Sequence, residues 1–161
     1  MANREEISAT IDIEAPPEVV WHLVSDPAQM PRWSPQCRKM IVRGKGPVGV
    51  GTTTINVNRR GPLFWPTRSK VKEFVPGKRF AFKIAENGTV WSYDLEPTAA
   101  GGTRLTESRH APHGVSNLSN FLTQRVLGGT DNFEVELEQG MRQTLERIKA
   151  AAESGDLAGK A

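Results

Sequence analysis

Residues 132–149 read NFEVELEQGMRQTLERIK, and the period of that stretch decides the fold. Phe133, Leu137, Met141, Leu145 and Ile148 recur every three or four residues, so a helix gathers them into one apolar stripe. Glu136, Arg142, Glu146, Arg147 and Lys149 occupy the rest of the surface. After Gly128-Gly129, Thr130 or Asp131 is placed to cap this helix, with Glu134 three residues beyond Asp131 as a capping-box partner. A shorter helical piece over about 115–127, carrying Leu118, Phe121 and Leu122, precedes it. A long helix with a single apolar stripe has to bury it against another layer.

The upstream sequence supplies that layer. Ile7, Ala9, Ile11 and Ile13 alternate with Ser8, Thr10, Asp12 and Glu14, the period-two pattern of a half-buried strand. Ala15-Pro16-Pro17-Glu18 opens a short helix, because proline suits a first turn that needs no amide donor. Val20, Trp21 and Val24 share its face, and Ser25-Asp26-Pro27 ends it. A second helical turn is expected over 27–33. Strands are expected near 37–43, 51–58, 67–75, 79–86, 88–96 and 103–110, separated by turn sequences such as Arg60-Gly61-Pro62 and Asn87-Gly88. Phe80, Phe82 and Ile84 then share one face, as do Trp91, Tyr93 and Leu95. Short connections make the strands antiparallel. The expected class is therefore α+β: one strand, two short helices, six more strands and a long C-terminal helix, with residues from about 153 onward as a loose end. A curved sheet gripping a helix leaves volume between the two.

Length and composition agree with one domain. The chain has 161 residues, 37% of them hydrophobic, with 15 Gly and 11 Pro spread along it, which excludes collagen-like and wholly disordered chains. No apolar run approaches the ~18–20 residues of a membrane span. The start carries acids where an export signal is basic and then apolar, so a cytoplasmic location is expected. Charge is uneven: residues 32–79 hold twelve Lys/Arg against Glu73 alone, whereas 1–31 and 80–161 are net acidic. Such a segment either forms the water-facing side of strands or attracts an anionic partner, namely a membrane, an acidic (acyl) carrier protein or nucleic acid. Nucleic acid is the less expected partner, because a nucleic-acid surface usually gives a clearer basic stripe with interleaved aromatics.

The sequence resembles the START-related helix-grip superfamily (SRPBCC), in particular its polyketide cyclase/dehydrase branch. The resemblance is carried by residues 11–21 (IDIEAPPEVVW), Asp26-Pro27, Pro31-Arg32-Trp33-Ser34-Pro35, residues 91–97 (WSYDLEP), residues 102–107 (GTRLTE) and residues 141–149 (MRQTLERIK), in the family's order and spacing. It implies a helix-grip fold over 1–161, a curved antiparallel seven-stranded sheet wrapped around the long C-terminal helix. It also implies a pocket for a small hydrophobic molecule, and it names no cofactor.

Strand alternation yields the chemical candidates. If Leu105 faces inward beside Leu95, then Glu107 and Arg109 also face inward, next to Tyr93 and Trp91. A carboxylate and a guanidinium in an apolar cavity are costly unless paired. Paired, they orient a ligand carbonyl or enol, with Glu107 as proton acceptor and Tyr93 as donor; the alternatives are a structural ion pair at the rim, or a register one residue different that puts both in water. The expected lining is Trp91, Tyr93, Leu95, Glu107, Arg109, Phe80, Phe82, Ile84, Ile55, Val57, Phe133, Leu137 and Met141. No metal site is expected: His110-Ala111-Pro112-His113 is interrupted by proline, and His110 faces away from Glu107 by parity. Gly44–Gly51 lacks a phosphate loop's final Gly-Lys-Ser/Thr and reads as a turn near the pocket mouth. Arg38 and Lys39 beside Cys37, the one cysteine, are placed to lower its pKa, but no base accompanies it.

Three functions follow. The first is binding of a lipid, polyketide or isoprenoid for carriage or sequestration. The second is an aromatase/cyclase or dehydratase-like lyase using Glu107 as acid/base. The third is an interaction module that presents the basic 32–79 segment to an anionic partner.

Overall fold

A computed structural model of the protein describes residues 6–86, 88–111 and 130–154, with side chains in the last helix from residue 135 onward. Seven strands form one curved antiparallel sheet: β1 (Glu6–Ile13), β2 (Cys37–Val42), β3 (Thr53–Arg60), β4 (Leu63–Val75), β5 (Arg79–Ile84), β6 (Val90–Pro97) and β7 (Thr103–His110). Their order in the sheet is β1-β7-β6-β5-β4-β3-β2. Between β1 and β2 lie α1 (Pro17–Val24), a 3-10 turn (Pro27–Gln29) and α2 (Met30–Trp33); α3 (Thr130–Ser154) closes the described chain. This is the α+β helix-grip architecture expected from the periods of the sequence. The expected helical piece over 115–127, Asn87 of the Asn87-Gly88 turn, the side chains of Phe133 and of the 130–134 cap, His113 and residues 155–161 all lie outside the described residues.

Register sets the faces. Ile7 stands opposite Arg109, Arg109 opposite Trp91, and Trp91 opposite Phe82. Ala9, Glu107, Tyr93 and Phe80 form the next row across the same four strands. Both rows point inward, toward the layer formed by α1, α2 and α3. β4 begins earlier than its sequence suggests and runs straight through Pro66. A proline removes a ladder donor and argues against a central strand. Here the β4–β5 ladder starts only at Ser69, so at Pro66 the strand is paired with β3 alone and is locally an edge.

α3 lies along β1 and also touches β7, α1 and α2, without comparable packing on β3, β4 or β5. Its Met141, Leu145 and Ile148 are buried together with Val20 and Leu23 of α1 and with Ile13 and Leu105 of the sheet. Trp33 is buried and donates its indole N–H to the Leu23 carbonyl at 3.2 Å, and Trp21 meets Phe74 edge-on, so both tryptophans pack the α1–α2 end. Near Ser154 α3 is tied to the end of β1. Glu153 accepts the Glu14 amide at 2.7 Å and pairs with Lys149. Gly102 permits the close approach of β7 to β1, because a Cβ there would stand 2.4 Å from the Ile13 carbonyl oxygen.

The basic residues of 32–79 mostly occupy the outer, water-facing side of β2–β4, where Lys39, Arg59, Arg68 and Lys70 are exposed. Among the described residues no helix is long and apolar enough to cross a membrane.

Candidate functional site

Inward alternation on β6 and β7 places Tyr93 and Glu107 directly opposite each other, 1% and 4% exposed. The Tyr93 hydroxyl donates to Glu107 Oε2 at 3.1 Å, with Met30 Sδ at 3.5 Å on its other side. Glu107 Oε1 is also buried and has no hydrogen-bond partner among the described residues. Burial in this apolar setting raises the Glu107 carboxyl from its ordinary 4.5 to about 8; the Tyr93 hydrogen bond opposes the rise and is outweighed. Burial, and then the neighbouring carboxylate, push the Tyr93 phenol well above its usual range. The pair therefore holds a proton near neutrality and leaves one carboxyl oxygen facing inward without a partner.

Arg109 is also inward and buried, but it is not the ion-pair partner of Glu107. Residues two apart on one face stand about 6.6 Å apart along a strand, and each of these side chains takes its own contacts; Arg109 has its own interactions. The expected Glu107–Arg109 pair is thus replaced by a Glu107–Tyr93 pair. Phe80, Phe82, Ile84, Leu95, Leu137 and Met141 are buried in the same core, and Trp91 is half-buried against it.

Ile55 and Val57 require correction. Ile55 pairs with Ile41 and with Arg68 on the outer side of the sheet and is 38% exposed, and Val57 shares that side. The inward residues of β3 are Thr54, Asn56 and Asn58. An apolar residue in a strand is a guide to the inner face only where polar side chains do not bond to one another inside, as Thr54, Asn56 and Asn58 do here.

Those polar side chains form a network that the sequence reading missed. Thr54 donates to Asn56 Oδ1 at 2.6 Å and is bonded to Ser69. Asn56 donates to Thr67 Oγ1 at 3.2 Å, and Asn58 donates to the same oxygen at 3.0 Å and toward the Trp65 carbonyl. The legible signal was the run Thr54, Asn56, Asn58 at every second position, opposite Ser69 and Thr67. At the hairpin end Arg60 pairs with Glu136 of α3, which brings the start of that helix over β3.

A groove of about 390 Å³ opens between α2, β2 and α3, lined by Pro31, Ser34, Pro35, Cys37, Arg38 and Arg147. Cys37 lines this groove and is buried. Its flanking cations do not activate it. Burial pushes the thiol up to about 11, and its S–H faces the Lys39 carbonyl.

Comparison with known proteins agrees with this architecture. The family model described as "Polyketide cyclase / dehydrase and lipid transport" matches residues 4–153. Uncharacterised proteins of Mycobacterium tuberculosis and Mycobacterium bovis are 32% identical over 105 residues, 60% of this chain and 59% of theirs, so the match spans little more than half of those relatives. Among solved structures, the di-domain ARO/CYC StfQ of the steffimycin biosynthetic pathway superposes with a TM-score of 0.76 at 14% identity, over 94% of this chain and 51% of that one. A Polyketide_cyc-like protein of Corynebacterium glutamicum superposes with a TM-score of 0.66 at 27% identity, over 96% and 95% of the two chains. With the seven-stranded grip, the buried carboxyl and a match over nearly its whole length, the chain belongs to the polyketide cyclase/dehydrase and lipid transport family.

Proposed function

We propose that the protein binds a small hydrophobic molecule (a lipid, polyketide or isoprenoid) between the sheet and α3, for carriage or sequestration. The observation that carries this reading is the inward, unpartnered Oε1 of Glu107, set in an apolar wall beside Tyr93. Burying a carboxyl group with half its hydrogen-bonding capacity unmet is costly, and a ligand hydroxyl or carbonyl removes that cost. Affinity comes from apolar surface removed from water, at about 25 cal/mol per Å². The polar pair then fixes orientation. The groove beside Cys37 is the proposed way in.

A second reading is favoured by one specific observation, the Glu107 carboxyl at about 8. A carboxyl titrating there is mostly protonated at neutrality and matched to general acid–base work. In a dehydration of the lyase type, Glu107 would give its proton to a leaving hydroxyl, which departs as water. The carboxylate so formed would take a proton from the carbon next to a carbonyl, restoring the acid. In a cyclase the wall would hold a poly-carbonyl chain close to its reacting shape.

Native mass spectrometry of the purified protein, followed by solvent extraction, tests binding. An apolar molecule retained in the native ion and released into solvent is the expected result. A protein that carries none, and takes up neither fatty acids nor polycyclic aromatics, refutes the reading. Glu107→Gln separates the two functions, since a binder keeps its affinity through the amide and an enzyme loses turnover while still binding.

A further inference from the structure

The inner face of the sheet has two unlike halves. The rows across β1 and β5–β7 are apolar apart from Tyr93, Thr103, Glu107 and Arg109, whereas β3 and the facing part of β4 present Thr54, Asn56, Asn58, Thr67 and Ser69. They share the face of the core: Asn56 stands opposite Met40, and Ser69 opposite Ile84, both buried. A wall that only had to pack would be better apolar, because each buried polar group is costly unless bonded.

The hydrogen bonds of this wall have a direction. Thr54 gives its one hydroxyl proton to Asn56, so Ser69 is the donor to Thr54. The chain then runs Ser69 to Thr54 to Asn56 to Thr67, and Asn58 feeds the same Thr67 oxygen from the other side. Both lone pairs of Thr67 Oγ1 are thereby used, and its own O–H proton has no acceptor among the described residues. Asn58 likewise keeps its Oδ1 without a described donor. At the deep end Thr54, Asn56 and Ser69 are buried and each is bonded within the row. At the other end Asn58 and Thr67 are half-buried and keep that acceptor and that donor. One spare donor thus sits beside one spare acceptor.

We propose that the Thr54–Asn56–Asn58–Thr67–Ser69 row is a specificity wall that reads an adjacent hydrogen-bond acceptor and donor, such as a hydroxyl next to a carbonyl, along one edge of the bound molecule, and that it selects against pure hydrocarbon. This inference rests on the binding function proposed above and narrows its ligand class. Thr67 and Asn58 are the discriminating residues; Ser69, Thr54 and Asn56 position them.

The test uses two probes of one shape, 1,8-dihydroxyanthraquinone and anthracene, followed by quenching of tryptophan fluorescence. The wild-type protein is expected to prefer the oxygenated probe by at least about tenfold, in line with one to two net hydrogen bonds. Thr67→Val and Asn58→Leu should each cut that preference about fivefold while leaving anthracene affinity unchanged. Thr67→Ser keeps the hydroxyl and should restore the preference, which separates loss of the donor from loss of fold; Lys70→Ala, on the outer face, should change nothing. Binding of both probes with a ratio indifferent to Thr67→Val, or an equal loss for both, overturns the wall and leaves the binding reading standing. Failure of the wild type to bind either probe overturns the wall, and failure to take up fatty acids as well overturns the binding reading with it.

Discussion

Replacing Glu107 by Gln should change the pH dependence of stability in a calculable way. In the folded protein the carboxyl titrates at about 8, against an ordinary 4.5. A raised acid keeps, when folded, a proton that the unfolded chain releases. Stability is therefore full below about pH 4.5 and is lost as pH rises toward 8, at about 1.36 kcal/mol per pH unit. The whole interval is worth about 5 kcal/mol, and the portion between pH 5 and pH 8 about 3–4 kcal/mol. Gln has the shape of the protonated acid, and its carbonyl oxygen can still accept from Tyr93, but it has no proton to lose. Urea unfolding followed by tryptophan fluorescence at pH 5, 6, 7 and 8 reads the difference. At pH 5 the two proteins should agree to about 1 kcal/mol. By pH 8 the Gln variant should be the more stable, with a midpoint higher by about 1–4 M urea for an m-value of ~1–3 kcal/mol/M. Every other ionisable group is common to both proteins, so its contribution cancels in the difference. Parallel curves would refute the reasoning, because they would mean that Glu107 ionises in the folded protein as freely as in water.

Tyr93→Phe removes the one donor that holds the Glu107 carboxyl down, so that carboxyl should titrate above 8, read as the pH midpoint of its ¹³C carboxyl signal; an unchanged or lower midpoint contradicts the hydrogen bond. Gly102→Ala drives a Cβ toward the Ile13 carbonyl and should cost about 1–3 kcal/mol in urea unfolding; a neutral result contradicts the close approach of β7 to β1. Cys37, buried with its thiol at about 11, should react with a disulfide reagent at neutral pH about two orders of magnitude more slowly than free cysteine; a rate equal to the free thiol contradicts its placement.

How much of this was legible in the sequence follows from how local each signal is. The period of Leu137, Met141, Leu145 and Ile148 belongs to one helix, and the alternation of Ile7, Ala9 and Ile13 to one strand, so both could be read directly. The inward positions of Tyr93 and Glu107 followed from the alternation of β6 and β7 beside known apolar neighbours. Partners across space were less legible. Nothing local says that Glu107 meets Tyr93 and Arg109 does not meet Glu107, because rotamers and burial decide that. β3 misled for a physical reason. Its apolar Ile55 and Val57 face outward against Ile41 and Arg68, while its polar residues face in, so hydrophobicity pointed to the wrong side. The early start of β4 was hidden by Pro66, tolerable only because β5 has not yet joined its other edge.

The central claim is that a small molecule occupies the space bounded by the inward side chains of β3–β7 and by α3. The most direct test is a titration of isotope-labelled protein with 1,8-dihydroxyanthraquinone, watched at the methyl groups and side-chain amides by NMR. The account predicts that the Asn56 and Asn58 amides and the Met141 and Leu137 methyls shift together and saturate, while the outer-face methyls of Ile41 and Ile55 stay in place. Shifts confined to Ile41 and Ile55, or a spectrum that does not move, would contradict it.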